Sequence, residues 1–186
     1  MKTKQRHFST GYTLLELLIA VMILGILAVV GLPNWFRYVS EQHLNQANEA
    51  TETLLRTAQN RAKQEAQSFL VEFRMNNNIP QASLYRADSN ANSCWTYLTS
   101  IGNQKSTRDD CLNLAEAGRI TVSLIQGDTI TFNYDGTISP SSELQPNKKV
   151  TFSLTGISNS PQRCVRIKTI LGSIDKGIDS VECQQI

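Results

Sequence analysis

The stretch from Gly11 to Leu32, GYTLLELLIAVMILGILAVVGL, decides how the rest of the chain is read. It carries no charge from Leu17 to Leu32, and a polar segment with Lys2, Lys4 and Arg6 precedes it. As a helix rising 1.5 Å per residue, Tyr12 to Phe36 would extend about 37 Å, enough for a hydrocarbon layer of about 30 Å. A secretory signal peptide would end a shorter apolar region at a small-residue cleavage site. Here the run passes into a polar, helical pattern with no such site after it. Cations on the N-terminal side predict a cytoplasmic N-terminus and an exported remainder.

Glu16 does not fit a plain membrane span. A carboxylate within an apolar helix costs about 2.5–3.5 kcal/mol on insertion scales, so it needs a partner or a function. A cut between Gly11 and Tyr12 would create an amino group four residues before it. The amino terminus of a neighbouring copy could also lie beside Glu16 and neutralise both charges away from water. The alternative is that Glu16 reaches the headgroup layer and stays solvated. Residue chemistry alone leaves both open.

Gly11-Tyr12-Thr13-Leu14-Leu15-Glu16-Leu17-Leu18 resembles the class III signal of type IV prepilins and type II secretion pseudopilins. That signal is a short basic leader, a glycine, an aromatic residue or Met, then Thr-Leu-Ile/Leu-Glu and an apolar run. Tyr12 stands where phenylalanine is commonest. Gly25 and Pro33 fall where these helices carry a glycine and a proline. The resemblance covers residues 1–36. It implies cleavage after Gly11 by a prepilin peptidase, N-methylation of Tyr12, and pairing of Glu16 with the amino terminus of an adjacent subunit. It also implies an inner-membrane precursor with a periplasmic head, and partners that are other pilin or pseudopilin subunits. Proline removes a helical hydrogen bond and glycine lowers helix propensity, so Gly25, Gly31 and Pro33 predict a place to bend or melt.

Helical spacing continues beyond the apolar run. Leu44, Ala47, Thr51, Leu54, Leu55, Ala58 and Ala62 form one apolar stripe, opposite a face with Glu41, Glu49, Glu52, Arg56, Arg61 and Lys63. After Ser68 the pattern turns to strand. FLVEFRM is followed by an Asn76-Asn77-Asn78 turn and Pro80, and a polar stretch from Asp88 to Ser93 leads to Cys94. Ile120–Ile125 and Thr129–Tyr134 flank Gln126-Gly127-Asp128 and predict a hairpin. Asp135-Gly136 marks a turn and Pro140–Asn147 a loop, while Val150–Leu154 and Arg163–Thr169 are further strands. The expected organisation is a leader over 1–11, an assembly helix over 12–36, an amphipathic stalk over 37–67 and a β-rich head over 68–186. The expected class is α+β: a pilin-like long helix packed on an antiparallel head.

The element order is similar to the GspH/FimT-type branch of that superfamily. The residues that carry it are Leu55 to Lys63, Ile130 to Gly136, and the strand from Arg163 ending at Gly172. Some minor pilins of this branch capture DNA through a Gly-Arg-x-Arg motif. The corresponding stretch here is Gly172-Ser173-Ile174-Asp175, which lacks both arginines.

Formal net charge is +2, and removing the three leader cations leaves +2 − 3 = −1, so bulk charge does not point to nucleic acid. Cys94, Cys111, Cys164 and Cys183 have no CxxC spacing, and in an exported chain an even number predicts disulfides. All three full pairings stay open, with the sequence-local pairs Cys94–Cys111 and Cys164–Cys183 preferred over buried free thiols. His7 lies in the leader and His43 in the stalk, so the head offers no histidine for a nucleophile–base pair. No phosphate loop or metal-ligand cluster stands out, and no cofactor is expected. Asp109-Asp110 could hold calcium, but acidic loop pairs are usually solvated. Arg163, Arg166 and Lys168 form either a small phosphate-binding stripe or, as preferred, the charges protecting an edge strand. The expected function is a minor pilin or pseudopilin of a type IV pilus or type II secretion pseudopilus. The alternatives are a filament-tip adhesin or DNA-capture subunit and a membrane-tethered enzyme.

Overall fold

The structure, a computed structural model, describes residues 12–116, 118–125, 129–138, 148–156 and 160–184, and within these all side chains but those of residues 30–34, 36, 37, 122–125, 148, 180 and 184. The leader up to Gly11, the Gln126-Gly127-Asp128 turn, the Pro140–Asn147 loop and the Pro33 side chain therefore lie outside the described residues.

The chain divides into two compact units, Met1–Val39 and Ser40–Ile186. In the first, the described secondary structure is the N-terminal part of helix α1 (Leu14–Glu65), whose helical assignment is continuous through positions 25 and 33. In the second, the remainder of α1 ends where Ala66 turns left-handed (φ 51°) and the Gln67 N–H bonds back to the Ala62 carbonyl. There follow β1 (Phe69–Asn76), β2 (Ile79–Arg86), α2 (Asn92–Ile101), β3 (Cys111–Asn113), β4 (Ile120–Ile125), β5 (Thr129–Phe132), β6 (Lys148–Leu154), β7 (Gln162–Ile167), β8 (Ile174–Gly177) and α3 (Ser180–Gln184).

The strands form two four-stranded antiparallel sheets, β3-β2-β1-β5 and β4-β6-β7-β8. Asn77 and Asn78 join β1 to β2 with φ values of 49° and 60°. Two successive left-handed residues suit the twist of a two-residue hairpin, and asparagine tolerates them better than most side chains. The stripe of α1 covers both sheets. Leu44, Ala47, Thr51, Leu54, Leu55, Ala58 and Ala62 are each at most 1% exposed. They meet Phe69, Val71, Phe73, Ile130 and Phe132 of the first sheet and Ile120, Val150, Phe152, Val165 and Ile167 of the second. Burying each large side chain contributes on the order of 2 kcal/mol, so this core outweighs any surface pair.

The predicted hairpin of Ile120–Ile125 with Thr129–Tyr134 does not form. β4 pairs with β6 (Ile120 opposite Leu154), whereas β5 pairs with β1 (Phe132 opposite Phe69, Ile130 opposite Val71). Each strand pairs where its apolar residues reach the α1 stripe, and this tertiary demand outweighs the local turn signal. β7 is also not an edge strand: it lies between β6 and β8. β2, α2, β3, β8 and α3 are elements the sequence patterns did not define.

Cys94 pairs with Cys111 and Cys164 with Cys183, with Cα separations of 5.5 and 5.8 Å. The first ties α2 to β3, and the second ties α3 to β7. A Cβ at Gly177 would meet the Cys164 sulfur at 2.6 Å and the Cys183 sulfur at 3.1 Å, so β8 needs glycine beside the second bridge. Gln59 of α1 adds a polar clasp. Its amide lies within hydrogen-bonding distance of the carbonyls of Gly136 (3.0 Å), Leu171 (3.1 Å) and Gly172 (3.2 Å), so one side chain holds the turns that follow β5 and β7.

Loops of 17 and 19 residues closed by the disulfides give about 3 kcal/mol each in the chain-entropy account. Paired replacement of Cys164 and Cys183 by alanine should therefore lower the denaturant midpoint by that order, and an unchanged midpoint would contradict the bridge. Thr51 is fully buried, and its Oγ1 has no partner among the described residues, unlike Thr57, whose Oγ1 donates to the Thr53 carbonyl at 2.8 Å. The isosteric Thr51→Val should stabilise the head by about 1 kcal/mol, because it removes an unpaired buried hydroxyl. Destabilisation in the same unfolding measurement would show that the hydroxyl is satisfied.

Candidate functional site

The N-terminal part of α1 is apolar all round, whereas the stalk has a single stripe. Its large apolar residues from Leu14 to Val29 are 49–83% exposed, and Tyr12, just before the helix, is 84% exposed. A helix with no polar face is built for an apolar surround or for packing against other helices. Among the described residues no helix is long and apolar enough to cross a membrane. The described apolar side chains from Leu14 to Val29 cover roughly 24 Å at 1.5 Å per residue. A Cβ added to Gly25 would meet nothing within 4 Å, so nothing in this chain's own described packing requires a glycine there.

Thr13 starts the helix. Its carbonyl accepts the Leu17 N–H at 3.2 Å, and its Oγ1 accepts the Glu16 N–H at 3.3 Å. Thr13 is thus the cap, and Glu16 lies in the first turn, where a carboxylate is favoured by the positive end of the helix dipole. The Thr-x-x-Glu spacing of a capping box is the signal that marks this local role in the sequence. Tyr12 and Glu16 are both described; Gly11, on the other side of the predicted cut, is not.

The charged candidates of the head are engaged within it. Asp110 receives a two-point bond from Arg108 (2.9 and 2.7 Å), which holds its carboxyl below the usual carboxylate range. Asp109 pairs with Arg61 at 3.2 Å. Among the described residues no group of acids, histidines or cysteines is arranged to hold a metal ion. Arg163 donates to the Asn45 side chain at 2.7 Å and to the carbonyls of Gln162 and Ile178. Arg166 bonds the Glu182 carbonyl and shares Asp175 with Lys168, at 3.0 and 2.7 Å. The hydrogen bond from Lys168 is the main reason that Asp175 is held below its ordinary range. The stripe predicted from Arg163, Arg166 and Lys168 therefore knits β7, β8 and α3 together. Arg74 and Arg108 stack over Trp95 and Tyr97, at 4.0 and 5.4 Å from the ring centroids. His43 lies 3.4 Å from Arg119.

Residues 6–32 match the family described as the prokaryotic N-terminal methylation motif. No curated protein matches the chain. Among solved structures, the type IV minor pilin FimU of Pseudomonas aeruginosa (strain PAO1) is similar over 75% of this chain and 92% of its own, with 16% identity and a TM-score of 0.50. The minor pseudopilin EpsH from the type 2 secretion system of Vibrio cholerae is similar over 73% of this chain and 97% of its own, with 12% identity and a TM-score of 0.48. The FimU likeness is one of fold: a helix packed on an antiparallel head. The chain thus carries a prokaryotic N-terminal methylation motif at residues 6–32, followed by a head whose fold is similar to that of FimU.

Proposed function

We propose that the chain is a minor pilin or pseudopilin, a structural subunit of the GspH/FimT type rather than an enzyme. In this reading a prepilin peptidase cuts between Gly11 and Tyr12, and Tyr12 becomes the methylated amino terminus. The precursor is held by residues 12–36 in the inner membrane, with its N-terminus cytoplasmic and the head periplasmic. Subunits then leave the bilayer and stack through the same helix into a type IV pilus or a type II secretion pseudopilus. The observation that carries this reading is the run of exposed apolar side chains from Leu14 to Val29, interrupted by a single acid. An unpartnered surface of that kind is stable only in lipid or against other helices.

Glu16 supplies register. Exposed to water at the helix start it is inexpensive, but within a bundle it needs a cation, and the amino terminus of a neighbouring copy provides one. Gly25 and Pro33 are the proposed sites of bending during that packing. Adhesin and DNA-capture readings lose support, because Arg163, Arg166 and Lys168 are held by internal partners.

The test separates anchoring from assembly. Glu16→Ala should remain in the membrane fraction as the processed form, yet its share in sheared or detergent-extracted filaments should fall by about tenfold, equivalent to about 1.4 kcal/mol per subunit contact. Incorporation at the wild-type level would contradict the register role.

A further inference from the structure

Trp35 and Tyr38 lie on α1 just beyond the apolar run, 64% and 58% exposed. They are three residues apart and so share a helix face, and their rings touch at a centroid distance of 6.3 Å with a 42° tilt. Each ring also carries one polar edge, the indole N–H of Trp35 and the phenol hydroxyl of Tyr38. Both rings are exposed, although each carries 150 Å² or more of largely apolar surface by the usual size of such side chains (~150–250 Å²). An apolar ring with one polar edge suits the boundary between hydrocarbon and headgroups.

Spacing along the helix adds an independent argument. Tyr12 lies 23 residues before Trp35 by sequence number, roughly 34 Å at 1.5 Å per residue, against a hydrocarbon thickness of about 30 Å. The helix thus has an exposed aromatic at one end of the apolar run and an exposed aromatic pair at the other. From these positions we infer that Trp35 and Tyr38 form an anchor docked in the phospholipid headgroup layer on the outer side of the membrane, which fixes the depth of the helix before assembly. The inference rests on the membrane-rooted reading above. Its mechanical consequence concerns Glu16. With Trp35 held at the outer boundary, Glu16 lies about 6 Å along the axis from Tyr12, at the opposite boundary, where a charge is far less costly than at mid-bilayer. The anchor therefore keeps the acid hydrated until the helix moves out of the membrane.

Fluorescence quenching in vesicles tests this on the full chain. The protein is reconstituted into phosphatidylcholine–phosphatidylglycerol vesicles that carry a nitroxide either near the headgroup or near the end of the acyl chain. The chain has two tryptophans, so subtracting the emission of Trp35→Phe from that of the native protein isolates Trp35 from Trp95. Trp35 is exposed, so its replacement by phenylalanine removes no buried contact. The shallow nitroxide should quench Trp35 about twofold or more strongly than the deep one, as for other interfacial rings. If the protein floats with the vesicles and the deep nitroxide quenches Trp35 equally or better, or neither quenches it, the anchor is refuted while the membrane reading stands. A chain that fails to float with vesicles overturns both.

Discussion

The head depends on one contact, the burial of the α1 stripe against both sheets. Neither sheet closes on itself, and each offers one apolar face that must be covered. Leu44, Leu54 and Leu55 supply bulk, and Ala47, Ala58 and Ala62 let the strands approach the helix closely. The other devices are secondary to this contact. Gln59 gathers two turns onto the helix, and the disulfides fasten α2 and α3 to strands already in place. Lys176 bonds Glu52, which is held below the usual carboxylate range by that pairing first and by Arg56 as well, so even the solvated side of the stalk is joined to β8.

The same helix follows two rules along its length. From Leu44 to Ala62 it is amphipathic, and its own chain completes its environment. From Leu14 to Val29 it is apolar on every side, and its large side chains are exposed. That contrast is the basis of the functional reading. A monomer with such a segment is incomplete in water, and lipid or further helices are the surroundings that complete it.

The helix and its two rules were legible in the sequence because period and polarity are local properties. The stripe residues named from spacing are the buried ones, and Glu16 stands out because a charge within an apolar run has a known cost. Strand partners were less legible. Ile120–Ile125 and Thr129–Phe132 are separated by a turn-like tripeptide, yet they join different sheets because Ile130 and Phe132 pair with Val71 and Phe69, some sixty residues earlier in the chain. Charge roles were similarly non-local. Arg163, Arg166 and Lys168 read as charges protecting an edge strand, whereas Asn45, Asp175 and the Glu182 carbonyl are brought to them from elsewhere in the chain. The Thr13 cap was readable from its spacing to Glu16, whereas Gln59 carries no sequence signal at all.

In the proposed reading Tyr12 is the first residue of the working subunit, and its amino group is the cation for Glu16 of a neighbouring copy. Mass spectrometry of the protein recovered from its native envelope tests this most directly. The predicted result is an N-terminal peptide that begins at Tyr12 and carries a single methyl group on its amine. A chain that keeps its leader, or one that begins at any other residue, would contradict the account.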